Sequence, residues 1–313
     1  MFGHPRFRYQ RRYRMPGMGD MKPAQFDYVA PGSVPEAVAV LAGRGPESRV
    51  LAGGQSLLIE LRYRTARPAL VVDVNGIPGL AEIAVEDGSV HVGALVRHAQ
   101  LERARFDDPL AGLFREVAPY VGHPPIRARG TFAGSLAWAH PASEWCALAM
   151  AMGAGIELEG PAGRRTVPAD SWFRGRFATA CLPEELVTGV RLPRPPAGAV
   201  PAFAELRRTH GSFALAAALV VLRLVDGRVD WVRVGLANAA DVPLRAVEAE
   251  RLMVGEPPEP ELLAEAAARA AAEADPPDEP HAPAAYRRHA LATLVRRCLT
   301  RAVRARHEHP GAA

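Results

Sequence analysis

The sequence predicts an α+β protein: a mixed α/β body, a proline-rich break, then a second unit built on a β-hairpin and two helices. Three observations carry this expectation. From residue 26 to about residue 117, short apolar runs alternate with segments of helical spacing, the pattern that packs helices on a sheet. Leu192-Pro193-Arg194-Pro195-Pro196 is the clearest composition break in the chain, so the domain boundary is placed there. Beyond it, residues 213–225 and 229–236 flank Asp226-Gly227, a dipeptide suited to a two-residue hairpin turn.

The elements follow in order. Ser33-Val34-Pro35-Glu36 reads as an N-cap serine, a proline in the first turn and a glutamate at the third helical position, opening a short helix through Leu41. Residues 48–52 form a strand, followed at once by Gly53-Gly54-Gln55-Ser56, and residues 57–64 are amphipathic enough for a helix. Residues 69–74 (ALVVDV) and 89–93 (SVHVG) are strands, while residues 96–105 and 110–117 resume helical spacing. After the hairpin come an Ala-rich helix, residues 261–274, and a last helix from about 284 to 306. Leu291, Leu294, Val295, Cys298, Leu299 and Val303 form one apolar face of that last helix. Residues 275–283 hold four prolines and must be a loop.

Composition narrows the function. With 313 residues, 49% hydrophobic and 23% charged, the chain suits two domains or one large one and is not disordered throughout. Its formal charge of +4 equals that of residues 1–20 alone, where five arginines face only Asp20. The body is therefore neutral, with no field to attract a polyanion, and nucleic-acid binding is not expected. Residues 1–20 are expected to be a disordered basic extension. A misassigned start (Met15, Met18 and Met21 are candidates) and a partner-docking arm both remain open. Cys146, Cys181 and Cys298 have no paired spacing, which fits a reducing cytoplasm and gives no metal site held by this chain alone. The longest apolar runs, residues 145–156 and 212–222, fall short of the roughly 20 residues that span a bilayer, so no membrane span is expected.

Several chemical motifs are missing: there is no GxxxxGK[ST], no GxGxxG and no HExxH. Gly54-Gln55-Ser56 begins like a nucleophile elbow but lacks the closing glycine, and no catalytic residue is assigned. Two small-residue loops remain: Ala52-Gly53-Gly54-Gln55-Ser56, between a strand and a helix, and Gly130-Thr131-Phe132-Ala133-Gly134-Ser135. Glycine backbone without Cβ lets a phosphate oxygen approach successive N–H groups. Ser56, Thr131 and Ser135 offer hydroxyls to the same anion. Either loop alone is more often a simple turn; together they have the parts to grip the two phosphates of a dinucleotide.

The segments RVLAGGQSLL, ARPALVVDVNGIPGL and HPPIRARGTFAGSLAWAHPASEW resemble the flavin-binding medium subunits of carbon-monoxide-dehydrogenase and xanthine-dehydrogenase-type molybdenum hydroxylases. So do CLPEELV, RRTHGSFALAAA and AYRRHALATLVRRCL, and the resemblance covers residues 23–299. It implies an FAD-binding domain of the p-cresol methylhydroxylase/vanillyl-alcohol oxidase (PCMH) type, made of two α/β subdomains, plus a smaller C-terminal domain of antiparallel sheet and helices. The expected division is an extension at 1–20, the FAD domain at 21–195, the C-terminal domain at 199–306 and a tail at 307–313. Mapped onto this chain, the first pyrophosphate loop is Val50, Leu51, Ala52, Gly53, Gly54, Gln55, Ser56 and Leu57. The second is Thr131, Ala133, Gly134 and Ser135. Ala137 would approach the flavin by backbone, Glu144 would reach the cofactor's polar parts and Val187 would pack near the ring.

The resemblance further implies an FAD-dependent oxidoreductase acting as the electron-transfer subunit of a complex. FAD would collect electrons from the [2Fe–2S] clusters of a small partner subunit and pass them to an external acceptor. Molybdopterin would sit in a large partner subunit, and the assembly would be a dimer of heterotrimers. Departures from the family pattern fall at Ala133 (usually glycine), at Trp138 and His140 (usually His and Asp) and at Ser212 (usually Asp). They leave open a stand-alone FAD-dependent dehydrogenase or oxidase with its own small-molecule substrate, and a scaffold that has lost its cofactor. His123, His140 and His210 read as loop, capping or other structural residues before acid–base groups. Arg127 and Arg129 read as phosphate-screening or solvated side chains, and Trp138, Trp145 and Trp172 as core or interface aromatics.

Overall fold

A computed structural model describes residues 22–106, 108–280 and 282–308; the expected extension at 1–20 and the end of the expected tail lie outside the described residues. The first unit comprises β1 (Asp27–Val29), α1 (Val34–Arg44), β2 (Ser48–Leu51), α2 (Leu57–Tyr63) and β3 (Leu70–Asp73). Its sheet has the order β1-β3-β2, with β3 parallel to both neighbours. Ser33 caps α1 by accepting from the Glu36 N–H at 3.3 Å, and the Glu36 carboxylate turns back to the Gly32 N–H at 2.7 Å. Ala37, Val38 and Leu41 of this helix join Leu70, Val72 and Val74 in a small core. Because β2 and β3 run parallel, the loops that leave them emerge at one carboxyl-terminal edge, the edge where open α/β sheets bind ligands.

The second unit comprises β4 (Ile83–Glu86), β5 (Ser89–Gly93), α3 (His98–Glu102), α4 (Pro109–Val117), α5 (Pro124–Arg129), α6 (Phe132–Trp138), α7 (Glu144–Met152), β6 (Gly155–Gly160), β7 (Gly163–Pro168), α8 (Ala169–Trp172), β8 (Phe173–Gly175), β9 (Ala178–Thr179) and β10 (Leu186–Pro193). Five strands form an antiparallel sheet of order β4-β5-β10-β6-β7. The helix expected over residues 96–105 shrinks to α3. Val96 and Arg97 stay extended because Phe132 N donates to Val96 O (3.1 Å) and His98 N to Gly130 O (3.0 Å), bridging Arg97 to Thr131. Long-range pairing overrides the local helical spacing. The apolar run 145–156 is also divided: α7 ends at Gly153, whose φ is +65°, and β6 begins at Gly155.

The third unit comprises β11 (Val200–Leu206), β12 (Ala216–Val225), β13 (Arg228–Ala237), β14 (Leu244–Arg245), α9 (Val247–Met253), α10 (Pro260–Ala272) and α11 (Ala284–Glu308). The strands form an antiparallel sheet in sequence order. Asp226 (φ +50°) and Gly227 (φ +74°) make the tight turn between β12 and β13, where both central residues need positive φ. The strand expected from residue 213 begins at Ala216. β12 is apolar on both faces. Ala217, Leu219 and Val221 face the main core, while Ala218, Val220 and Leu222 face the C-terminal helices. Helix α7 lies on this sheet so closely that a Cβ on Gly235 would stand 2.8 Å from Ala147 O. No described helix is long and apolar enough to cross a membrane.

Candidate functional site

Strand β2 delivers the chain into Ala52-Gly53-Gly54-Gln55-Ser56 at the sheet edge. Gly54 has φ +75°, a conformation glycine adopts without strain. The turn is held by Gln55 Nε2 donating to Gly53 O (3.1 Å) and by Leu58 N donating to Gly54 O (3.0 Å). The N–H groups of Gly53, Gly54, Gln55 and Ser56 donate to no acceptor among the described residues. Four successive unused donors at a glycine turn are the elements of an anion-binding nest. The Ser56 side chain makes no capping bond to α2.

The second loop is shaped by Thr131, the N-cap of α6, whose hydroxyl oxygen accepts from Gly134 N at 3.0 Å. A Cβ on Gly134 would overlap that hydroxyl at 2.6 Å, and one on Gly130 would stand 2.6 Å from His98 Nε2. Ala133 is different. It lies inside α6, is not among the residues of positive φ and turns its methyl into the main core at 2% exposure. The extra carbon therefore does not intrude on the loop.

The two loops touch. A Cβ on Gly53 would lie 2.5 Å from Arg129 O and 2.7 Å from Gly130 Cα, so only glycine permits this approach. Around the contact the structure adds residues that sequence reasoning missed. Asn75 Nδ2 donates to Ala52 O (2.8 Å), and its Oδ1 accepts from Arg97 Nη2 (2.6 Å), while Arg97 Nη1 donates to Arg129 O. Asp73 accepts from Asn75 N (2.9 Å) and from the Tyr28 hydroxyl (2.6 Å). The Tyr28 bond and the bonds from Asn75 hold the Asp73 carboxyl below its ordinary range despite burial. The Asp-x-Asn-Gly turn closing a strand parallel to β2 was the available signal, since it had to emerge beside the first loop.

The other expected site residues lie on α6, β10 and α7. Ala137 is exposed on α6. Val187 sits at a bulge in β10, at the margin of the main core. Glu144 begins α7 and is only 5% exposed. Burial first, and then the charge of Glu205, push its pKa up to about 8. Glu205 was not anticipated. Neither of its carboxylate oxygens has a hydrogen-bond donor among the described residues. Arg207 Nη1 stands 3.0 Å from Oε1 but outside hydrogen-bond alignment. Burial raises the Glu205 pKa to about 7. Beyond Arg207, His210 Nδ1 lies 2.9 Å from Nη2, and the His210 ring meets His123 edge-on.

The other three departures, Trp138, His140 and Ser212, converge on the seam between the second and third units. His140 stacks on Phe213 with ring centroids 4.0 Å apart and planes 6° from parallel, and Trp138 and Phe177 complete the cluster. Neighbouring Ser212 turns its hydroxyl to Thr209 O at 2.9 Å. His140 Nδ1 accepts from Ala142 N (3.0 Å), and burial lowers its pKa to about 4, so the ring is neutral at pH 7. Arg127 does not serve a phosphate: it is buried and donates to Glu102 through Nε at 2.9 Å and Nη2 at 3.0 Å. Trp145 and Trp172 are core residues, donating to His98 Nδ1 and Leu136 O, whereas the partly exposed Trp138 donates to Glu60.

Comparison with known proteins agrees with this geometry. The family model described as the FAD binding domain in molybdopterin dehydrogenase matches residues 24–195, and that of the CO dehydrogenase flavoprotein C-terminal domain matches residues 201–302. The chain is 36% identical to the 6-hydroxypseudooxynicotine dehydrogenase complex subunit alpha of Paenarthrobacter nicotinovorans, over 90% of this chain and 96% of that one. It is 37% identical to the carbon monoxide dehydrogenase medium chain of Afipia carboxidovorans, over 90% and 98%. A crystal structure of Cu,Mo-CO dehydrogenase superposes with a TM-score of 0.88 at 37% identity, covering 91% of this chain and 99% of that one.

Proposed function

The chain belongs to the FAD-binding subunits of molybdopterin dehydrogenases, and on that premise we propose that it is the flavin subunit of a molybdenum hydroxylase complex. In this role it passes electrons from [2Fe–2S] clusters of a partner subunit through FAD to an external acceptor. One observation carries the reading: four unused backbone donors on the first loop lie at a glycine-only contact with the second loop. That cradle suits a diphosphate and leaves no room for side chains. Residues 50–57 hold one side of the diphosphate and Thr131, Ala133, Gly134 and Ser135 the other, Ala133 by its backbone alone because its methyl is buried in the core. Ala137, Glu144 and Val187 face the remainder of the cofactor. Bound FAD supplies a carrier that accepts electrons singly and releases them in pairs.

This chain's own part is to bind, orient and shield. The loops fix the diphosphate by backbone, so the grip does not depend on a protonation state. Neutral His140, stacked on Phe213, presents an apolar wall at the seam. Around it we place the FAD domain at 21–195 and the C-terminal domain at 199–306. The partners are a large molybdopterin subunit and a small [2Fe–2S] subunit, assembled as a dimer of heterotrimers in the cytoplasm. Titration of the purified chain with FAD, followed by affinity purification of the tagged chain from its host, tests the reading. Stoichiometric FAD binding and recovery of both partners support it. Bleaching of the flavin by a small molecule in the absence of partners would instead identify a stand-alone dehydrogenase.

A further inference from the structure

Arg97, acting through Asn75, ties the two loops together. Its backbone pairs with Thr131 in an antiparallel bridge, which places the guanidinium over the loop contact. Nη1 donates to Arg129 O on the second loop. Nη2 donates to Asn75 Oδ1 (2.6 Å), and Asn75 in turn holds the first loop through Ala52 O (2.8 Å). No carboxylate among the described residues is in ion-pair contact with Arg97 or Arg129; Asp73, whose charge acts on both through space, is engaged with Tyr28 and Asn75. The Arg97 guanidinium thus stands beside a row of unused N–H donors, within the electrostatic reach of a second guanidinium, Arg129, and of one carboxylate, Asp73, an excess of positive charge. Burial and the neighbouring Arg129 both lower the pKa of Arg97, so its charge is crowded and partly stripped of water. An anion at this place relieves that crowding.

We infer that Arg97 is a positioning residue of the cofactor site: it sets the gap between the two loops and, with Arg129, makes the site selective for a flavin that carries a diphosphate. The inference rests on the FAD reading above and goes beyond it by naming the group that confers selectivity. Backbone donors bind any phosphate that reaches them. A strap that fixes both loops favours the ligand whose two phosphates meet both at once.

The test compares FAD with riboflavin, which lacks phosphate, on the purified full chain by flavin-fluorescence titration at two salt concentrations. Thermal unfolding of the ligand-free proteins is measured alongside. Loss of two charge-assisted hydrogen bonds predicts that Arg97→Ala weakens FAD binding by roughly 10- to 100-fold, leaves riboflavin within twofold and reduces the salt sensitivity of FAD binding. Arg97→Lys keeps the charge but lacks the fork that spans both acceptors, so it recovers part of the loss. Should Arg97→Ala not fold, Arg97→Lys carries the same comparison. Unchanged FAD affinity in these variants, or equal loss of FAD and riboflavin, overturns the inference while leaving the cofactor assignment intact. A wild-type chain that binds neither flavin overturns both.

Discussion

Replacing Gly53 by alanine pushes a methyl carbon into the contact between the loops. The new Cβ would stand 2.5 Å from Arg129 O and 2.7 Å from Gly130 Cα, against the 3.4 Å at which ordinary contact begins. Relief therefore needs a separation of about 0.9 Å at the tighter contact. Both obstacles are backbone, and the second loop is held by the Arg97 strap and by the bond from His98 N to Gly130 O, so no flexible side chain can yield. Overpacking of this kind costs roughly 1–3 kcal/mol. If the fold absorbs it by parting the loops, the loss appears in FAD affinity as roughly 5- to 150-fold, at tenfold per 1.4 kcal/mol. Gly43→Ala is the control, because a Cβ there has nothing within 4 Å. Flavin-fluorescence titration and thermal unfolding of both variants give the answer. Gly53→Ala with wild-type affinity and an unchanged unfolding midpoint refutes the close approach of the loops.

Three further outcomes follow from buried groups. Burial raises the pKa values of Glu144 and Glu205 from 4.5 to about 8 and about 7, so the folded chain binds more protons and this contribution to stability falls as pH climbs from about 4.5 to 8. Glu205→Gln should accordingly stabilise the protein at pH 8 by up to about 3 kcal/mol and far less at pH 5, as read from urea unfolding; an equal effect at both pH values contradicts this. Burial lowers the pKa values of His98 and His140 from 6.5 to about 3 and about 4. Their contribution is full above pH 6.5 and is lost as pH falls toward about 3 for His98 and about 4 for His140, at up to about 1.4 kcal/mol per pH unit each. Comparing that slope in His140→Gln with wild type checks it, since an unchanged slope contradicts a neutral His140. Burial raises the pKa values of Cys146, Cys181 and Cys298 to about 12. Ellman's reagent at pH 7.5 should therefore find no fast-reacting thiol in the native chain and three after denaturation; a rapid native reaction overturns this.

What could be read from the sequence was what local chemistry dictates. The Ser33 cap, the apolar strands 69–74 and 89–93, the Asp226-Gly227 turn and the closing helix each depend on neighbours in the chain. The glycine loops were visible for the same reason, through the strand before the first and the hydroxyls within both. Features set by distant partners were hidden. Val96 and Arg97 carry helical spacing, yet Arg97 bridges to Thr131 and Val96 O accepts from Phe132 N. β10 enters the sheet between β5 and β6, a placement that no local pattern encodes. The Arg97–Asn75 strap and the buried Glu205 exist only once three separate segments meet. Arg127 looked available for phosphate because its partner, Glu102, lies on another helix.

Hydrogen exchange of the full chain, followed by mass spectrometry with and without FAD, tests the shared cradle most directly. Joint capture of the diphosphate predicts that peptides covering residues 52–57 and 131–135 both slow on FAD addition, with the same dependence on FAD concentration. Protection of one segment alone, or of neither while FAD is bound, contradicts it.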